Sequence, residues 1–266
     1  MEHKARIEVA TSPGSPNKQK GDLLEELTAD LLEIQDYTVT KQLRITAAEL
    51  DLLCEHRVNR KIVYVECKAY RESISANVLN NLLGKLTFNE EYQEGWLIST
   101  GPLGKDAKGF QHDWEKKPNS ESQKLSIYTP ERVIRALISA GKVKSPPYDS
   151  AVEMIGDEDR IGDPTLLITQ YGIFWTIACL ESGVPVGVLV YSTKTGNLIK
   201  EQKWLRNLAQ TDTSQNELDF EYALNLSKSR TKSKLNSVVE VEHGETWADY
   251  RPARPQDFVG REGVQE

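Results

Sequence analysis

Glu49-Leu50-Asp51-Leu52-Leu53-Cys54-Glu55, then His56-Arg57-Val58-Asn59-Arg60, then Lys61-Ile62-Val63-Tyr64-Val65-Glu66-Cys67-Lys68-Ala69 is the stretch on which the fold turns. Two largely apolar runs rich in strand-forming residues flank a polar pentapeptide, the pattern of a β-hairpin. A turn at Val58-Asn59, or a loop over residues 57–60, leaves an even number of residues in the connection. Either one sets Asp51 directly opposite Glu66, and opposed side chains share a face with Cβ atoms about 4.5–5.5 Å apart. Lys68, two residues beyond Glu66, joins the same face by strand alternation. Glu49 belongs there as well. The other face is apolar: Leu50, Leu52 and Cys54 with Val63, Val65 and Cys67. An odd-length turn would slip the register and dissolve the cluster.

Two carboxylates at that spacing suit one divalent cation held between them. Hard carboxylate oxygens bind Mg²⁺, which polarises a phosphate and lowers the pKa of bound water. An adjacent lysine can orient or deprotonate the nucleophile and offset negative charge. Glu66-Cys67-Lys68 alone also fits a solvated, salt-bridged sheet face. Against that bland reading stand Asp51 at hairpin register and the apolar run 62–65, where charge is hard to explain as mere solubility.

Outward from the hairpin, Leu23, Leu24, Leu27, Leu31 and Leu32 recur at helical spacing from Gly21 onward. After the hairpin come a helical stretch at 76–91, a strand at 96–100 and a Gly-Pro-Leu-Gly loop. A helix at 105–116, a strand at 125–128 and a helix from Pro130 follow. This alternation implies an α/β fold with helices on both faces of a mixed sheet. Residues 1–19, with Ser-Pro-Gly-Ser-Pro at 12–16, read as a flexible lead-in to a domain at 20–145. Lys144-Ser145-Pro146-Pro147 marks a boundary. Strands at 164–169, 172–181 and 184–192, a helix at 200–209 and a strand near 218–224 make a smaller α+β module at 146–225. No chemistry is evident in it. Residues 226–257 read as a linker.

Composition sets wide bounds. The 266 residues are 38% hydrophobic and 27% charged, an ordinary globular mixture. No apolar run approaches the roughly 18 residues of a membrane span, and the N-terminus lacks a signal-peptide core, so the expected compartment is the cytoplasm with no membrane partner. Cys54, Cys67 and Cys179 lie in apolar runs without CxxC spacing and read as buried thiols. The net charge of −7 falls wholly in residues 146–266. Residues 1–145 carry 21 basic and 21 acidic residues, which leaves nucleic-acid binding open.

The ordered motifs resemble the Mrr-type restriction endonuclease family of the PD-(D/E)xK nuclease superfamily. Gly21-Asp22-Leu23-Leu24-Glu25 resembles its opening helix, Glu49–Leu53 the segment with the catalytic aspartate, and Val65–Tyr70 the catalytic strand. Many Mrr-like members have Gln-Cys-Lys there; Glu66 gives the broader superfamily form. Trp96–Thr100, followed by Lys105-Asp106-Ala107-Lys108, resembles the later strand and helix. The stretch before the aspartate departs from the pattern, with Ile45-Thr46-Ala47-Ala48 where glycines are frequent.

The resemblance implies a restriction-endonuclease-like mixed sheet flanked by helices and a Mg²⁺-dependent endonuclease acting on double-stranded DNA, with Mn²⁺ as substitute. Asp51, Glu66 and the Cys67 carbonyl would bind metal, Lys68 would activate water, and Glu25 would be an accessory acid. Lys105 and Lys108 are candidate phosphate contacts. Asp257-Phe258-Val259-Gly260-Arg261-Glu262 resembles the opening of STAND-type NTPase modules, of which 258–266 would be the start. That implies the effector of a prokaryotic anti-phage sensor, self-associating through an NTPase module that uses ATP beyond this chain. The alternatives are a modification-dependent restriction endonuclease and a catalytically silent nuclease fold used for binding or assembly.

Overall fold

The hairpin forms, and it sits in the middle of a sheet. The computed structural model describes residues 4–45, 48–89, 91–215, 217–226 and 228, with backbone alone for 42–45 and 48–50. Strands β3 (Ala48–His56) and β4 (Ile62–Lys68) pair antiparallel with Leu52 opposite Val65 and Cys54 opposite Val63. The loop is the four-residue one: the His56 amide donates to the Lys61 carbonyl at 2.9 Å, and Arg60 closes it with φ of 60°.

Around the hairpin runs a five-stranded sheet in the order β2-β3-β4-β5-β6, with β2 at Tyr37–Ile45, β5 at Glu94–Ser99 and β6 at Leu125–Tyr128. The β2-β3-β4 part is antiparallel and β4-β5-β6 is parallel, so the sheet is mixed, as expected. Parallel neighbours need crossovers. Helix α2 (Ala76–Phe88) joins β4 to β5, and α3 (Lys105–Glu115), followed by the short α4 (Asn119–Ser122), joins β5 to β6. Leu79 and Leu82 of α2 and Ala107 of α3 bury against Tyr64, Leu97 and Ile127 on one sheet face.

The opposite face packs on α1 (Asn17–Ile34) and α5 (Pro130–Ser139). Leu24, Leu27, Leu31 and Leu32 of α1 are buried there, together with Val63, Val65 and Cys67 of β4. Beyond these helices lies a second sheet, of order β1-β7-β8-β9, built from β1 (Arg6–Ala10), β7 (Ile161–Thr169), β8 (Gly172–Glu181) and β9 (Val184–Ser192). Its inner face adds Leu166, Trp175, Ile177 and Leu189 to the same core. Its outer face is covered by Leu205 and Leu208 of α7 (Gln202–Ala209) and by Phe220. The layers therefore run helix, sheet, helix, sheet, helix, a stacking that buries both faces of each sheet.

Three expectations need correction. Residues 1–19 are not simply a flexible lead-in: Arg6–Ala10 is a buried strand pairing parallel with β7, and α1 starts at Asn17. The boundary near residue 146 divides the sequence but not the core, because α1 packs on both sheets and one hydrophobic cluster spans them. The Trp175 indole donates to the Lys144 carbonyl at 2.9 Å, and α6 (Tyr148–Ile155) starts directly after the two prolines. The strand expected at 218–224 is only a bridge at Asp219, after which 222–226 is helical. Asp219 favours that turn because its carboxylate accepts from the Glu221 amide at 2.8 Å and from the Asn225 side chain at 3.1 Å.

The linker from 229 onward and the 257–262 motif lie outside the described residues. Among the described residues no helix is long and apolar enough to cross a membrane.

Candidate active site

Tyr64, Glu66 and Lys68 alternate with Val63, Val65 and Cys67 along β4, so the polar set faces α2 while the apolar set faces α1. The hairpin ladder runs to Leu52 opposite Val65, and the next step in register sets Asp51 against Glu66. There the strands are joined through a side chain: Asp51 Oδ2 accepts the Cys67 amide at 2.8 Å. Asp51 is half-buried and Glu66 is 7% exposed.

Glu66 is held at both oxygens. Lys68 Nζ lies 2.8 Å from Oε1. Oε2 accepts from the Tyr64 hydroxyl at 2.7 Å and from Lys85 Nζ at 2.7 Å. Lys85, on α2, also donates to the Tyr64 oxygen at 2.8 Å. Burial alone would raise the Glu66 carboxyl, but Lys68 foremost, with Lys85 and Tyr64, outweighs it and brings the group down to about 2. Asp51 goes the other way: burial raises its carboxyl beyond what the Cys67 amide and Lys68 take back. Lys68 is raised; burial works against its charge, and Glu66 more than compensates. Two neighbouring carboxyls thus have unlike protonation energetics, an arrangement frequent where chemistry is done.

Of the residues expected from sequence, Asp51, Glu66 and Lys68 are brought together. The Cys67 thiol points away from them, 3.7 Å from the Thr28 hydroxyl of α1, and burial pushes its pKa well up. Only its backbone is positioned for the site. Glu25, half-buried one turn before Thr28, is close enough for its charge to reach that thiol. Lys105 and Lys108 are exposed on the first turns of α3. The Glu49 side chain lies outside the described residues.

Sequence reasoning missed Lys85 and Tyr64. Lys85 follows the buried Leu82 by three residues, so a lysine on the apolar stripe of α2 was the available signal. It also missed the anchoring behind β4. The Thr100 amide donates to the Lys68 carbonyl at 3.1 Å, and its hydroxyl donates to the Tyr70 carbonyl at 2.8 Å. Arg71 pairs with the buried Glu8 of β1 at 2.9 Å.

Among the described residues no three His, Cys, Asp or Glu side chains cluster as a ready metal cage. Two opposed carboxylates and a strand carbonyl are nevertheless a donor set of hard oxygens. Mg²⁺ is commonly held by one or two carboxylates while keeping several waters, so the residues fit that ion.

The polar end of this hairpin lies in a mixed sheet covered by helices on both faces. Residues 17–117, which contain every element of the site, match the family model Mrr_cat, restriction endonuclease. No curated protein matches the chain in sequence. Among solved structures, the chain is similar to a protein of unknown function, AF1548 (12% identity, 51% of this chain and 78% of that one, TM-score 0.37). It is similar also to a repair endonuclease from Pyrococcus abyssi (15% identity, 42% and 46%, TM-score 0.30). A third is the DNA modification-dependent restriction endonuclease AspBHI (14% identity, 49% and 37%, TM-score 0.33). The chain spans less than half the length of the last two.

Proposed function

We propose that the protein is a Mg²⁺-dependent endonuclease that hydrolyses phosphodiester bonds of double-stranded DNA. The observation that carries this reading is the convergence of Asp51, Glu66 and Lys68 at one end of β3 and β4, inside the stretch matching the restriction endonuclease model. In this reading Asp51, Glu66 and the Cys67 carbonyl hold the ion, and Mn²⁺ substitutes for it. The bound ion supplies Lewis acidity and an acidified water. Lys68 would orient the attacking water and place its charge beside the scissile phosphate. Glu25 is an accessory acid reached from α1. Lys105 and Lys108, exposed on α3, supply phosphate contacts.

The motif Asp257–Glu262 supports a wider setting: the domain acts as a cytoplasmic anti-phage effector, brought into oligomers by a STAND-type NTPase module. The layered body to residue 225 then comprises the nuclease domain and the connector that joins it to that module.

The test is plasmid cleavage with Mg²⁺ by wild type and by Asp51→Asn, Glu66→Gln and Lys68→Ala, with unfolding curves taken in parallel. Loss of cleavage in all three, at preserved folding, supports the reading. Wild-type cleavage surviving in any of them overturns it.

A further inference from the structure

Lys85 is the second ammonium on Glu66, and it comes from a different element than the first. Its stem follows the buried stripe of α2, three residues past Leu82. Its Nζ is 2.7 Å from Glu66 Oε2, 2.8 Å from the Tyr64 oxygen and 5.1 Å from the centre of the Tyr64 ring. Tyr64 is fully buried, so the hydroxyl that fixes this corner does not move with the surface. With Lys68 on Oε1, both Glu66 oxygens already carry a cation. Two lysines and two carboxylates bring the cluster to formal neutrality.

We propose that Lys85 is a built-in counter-cation that holds Oε2 of Glu66 and competes with a divalent metal for that oxygen. The inference rests on the metal-site reading of Asp51 and Glu66 given above. Two carboxylates on opposed strands, Asp51 half-buried and Glu66 buried, repel each other, and an ammonium in place balances them without metal. A divalent ion that takes Glu66 must displace that ammonium or sit a few ångströms from it, where like charges repel strongly in a partly dry site. The affinity for free metal is thereby held down. Lys68 is bound to follow β4, being two residues from Glu66, whereas Lys85 reaches in on a flexible four-carbon stem from a helix and can swing away. A phosphodiester arriving beside the site offers the displaced ammonium a new anion, so metal and DNA bind each other's complex more tightly than the free protein.

The test is calorimetric titration of the full chain with Mn²⁺, together with melting curves in EDTA. Wild type is compared with Lys85→Gln, Lys85→Met, Lys85→Arg and Glu66→Gln. The expected result is Mn²⁺ binding about tenfold tighter in the two neutral variants, from removal of a unit charge near a partly exposed ion. Lys85→Arg keeps its charge and stays within roughly threefold of wild type, and Glu66→Gln loses binding. Neutral variants that melt earlier in EDTA yet bind Mn²⁺ no tighter than wild type make Lys85 structural and overturn the proposal, as does failure of both to fold. Absence of Mn²⁺ binding in wild type and every variant overturns the underlying metal-site reading as well, which separates the two failures.

Discussion

The Asp51 carboxylate accepts a hydrogen bond from the Cys67 backbone amide at 2.8 Å, so the acid closes the open end of the hairpin as well as charging it. Replacement by asparagine separates these tasks. The amide oxygen still accepts from Cys67, whereas the charge and one hard donor are gone. Asp51→Asn is therefore expected to unfold within about 1 kcal/mol of wild type and to cleave at least roughly a hundredfold more slowly. Matched urea denaturation and plasmid-cleavage rates check it. A large loss of stability would show that the charge itself holds the hairpin shut.

Glu66 makes stability depend on acid in a direction opposite to Asp51. Its carboxyl lies at about 2 in the fold, against an ordinary 4.5 in the unfolded chain. A carboxyl depressed by folding contributes its full stabilisation above the unfolded value and loses it as pH falls toward the folded one. In EDTA, the melting-temperature gap between wild type and Glu66→Gln should be widest above about pH 5 and should close toward pH 2. The variant is the reference because it keeps Asp51, whose shift comes first from burial and only in smaller part from Glu66. A gap independent of pH would mean that the Lys68 and Lys85 pairs contribute nothing net.

What could be read in advance was local. Strand alternation and an even turn place Asp51, Glu66 and Lys68 on one face without any knowledge of the remaining chain, and the hairpin register follows that logic. Alternating strands and helices likewise announce a mixed sheet with crossover helices. The parts that escaped depend on distant pairing. β1 is five residues long and is a strand because β7, more than 150 residues later, accepts it as a parallel neighbour. Lys85 looks like an ordinary helix lysine until α2 is laid over Tyr64 and Glu66. The sharing of one core by two sheets is invisible to composition, since Lys144–Pro147 has a linker's residues yet Lys144 bonds both Trp175 and Thr193.

Glu8 should matter more to stability than its partner Arg71. Glu8 is 6% exposed on β1 and accepts from the Ser214 amide at 2.5 Å and the Ser214 hydroxyl at 2.6 Å, besides pairing with Arg71. Arg71 stays about half exposed and also donates to the Asp212 carbonyl. Removing Arg71 leaves Glu8 two donors; removing Glu8 leaves the Ser214 amide and hydroxyl without their acceptor and Arg71 with Asp212 alone. Arg71→Ala is expected to cost about 1 kcal/mol and Glu8→Ala about 2–4 kcal/mol, read from urea midpoints. The double variant should cost less than the sum of the two, as for residues of one network. Equal and small losses would show that this contact between β1 and the loop after β4 carries little.

Gly101 is required for space, and the loop behind the site depends on it. A Cβ there would stand 2.1 Å from the Glu72 carbonyl oxygen and 3.2 Å from that of Tyr70, both backbone atoms that cannot swing aside. Its neighbours are already committed: Ser99 Oγ donates to the Gly101 carbonyl at 2.8 Å, and the Thr100 amide donates to the Lys68 carbonyl at 3.1 Å. Relief of the overlap must therefore move residues 70–72 or the end of β5, and either movement is transmitted to the carbonyl of Lys68. Gly101→Ala is expected to lose about 2 kcal/mol or more and to slow cleavage beyond what the lost stability explains. Gly109 is the matched control, since on α3 an added Cβ meets nothing within 4 Å. Gly109→Ala should be neutral or stabilising by up to about 1 kcal/mol, because alanine loses less backbone entropy in a helix. If the two alanine variants melt together and cut DNA alike, the close crossing of the loops after β4 and β5 does not position Lys68.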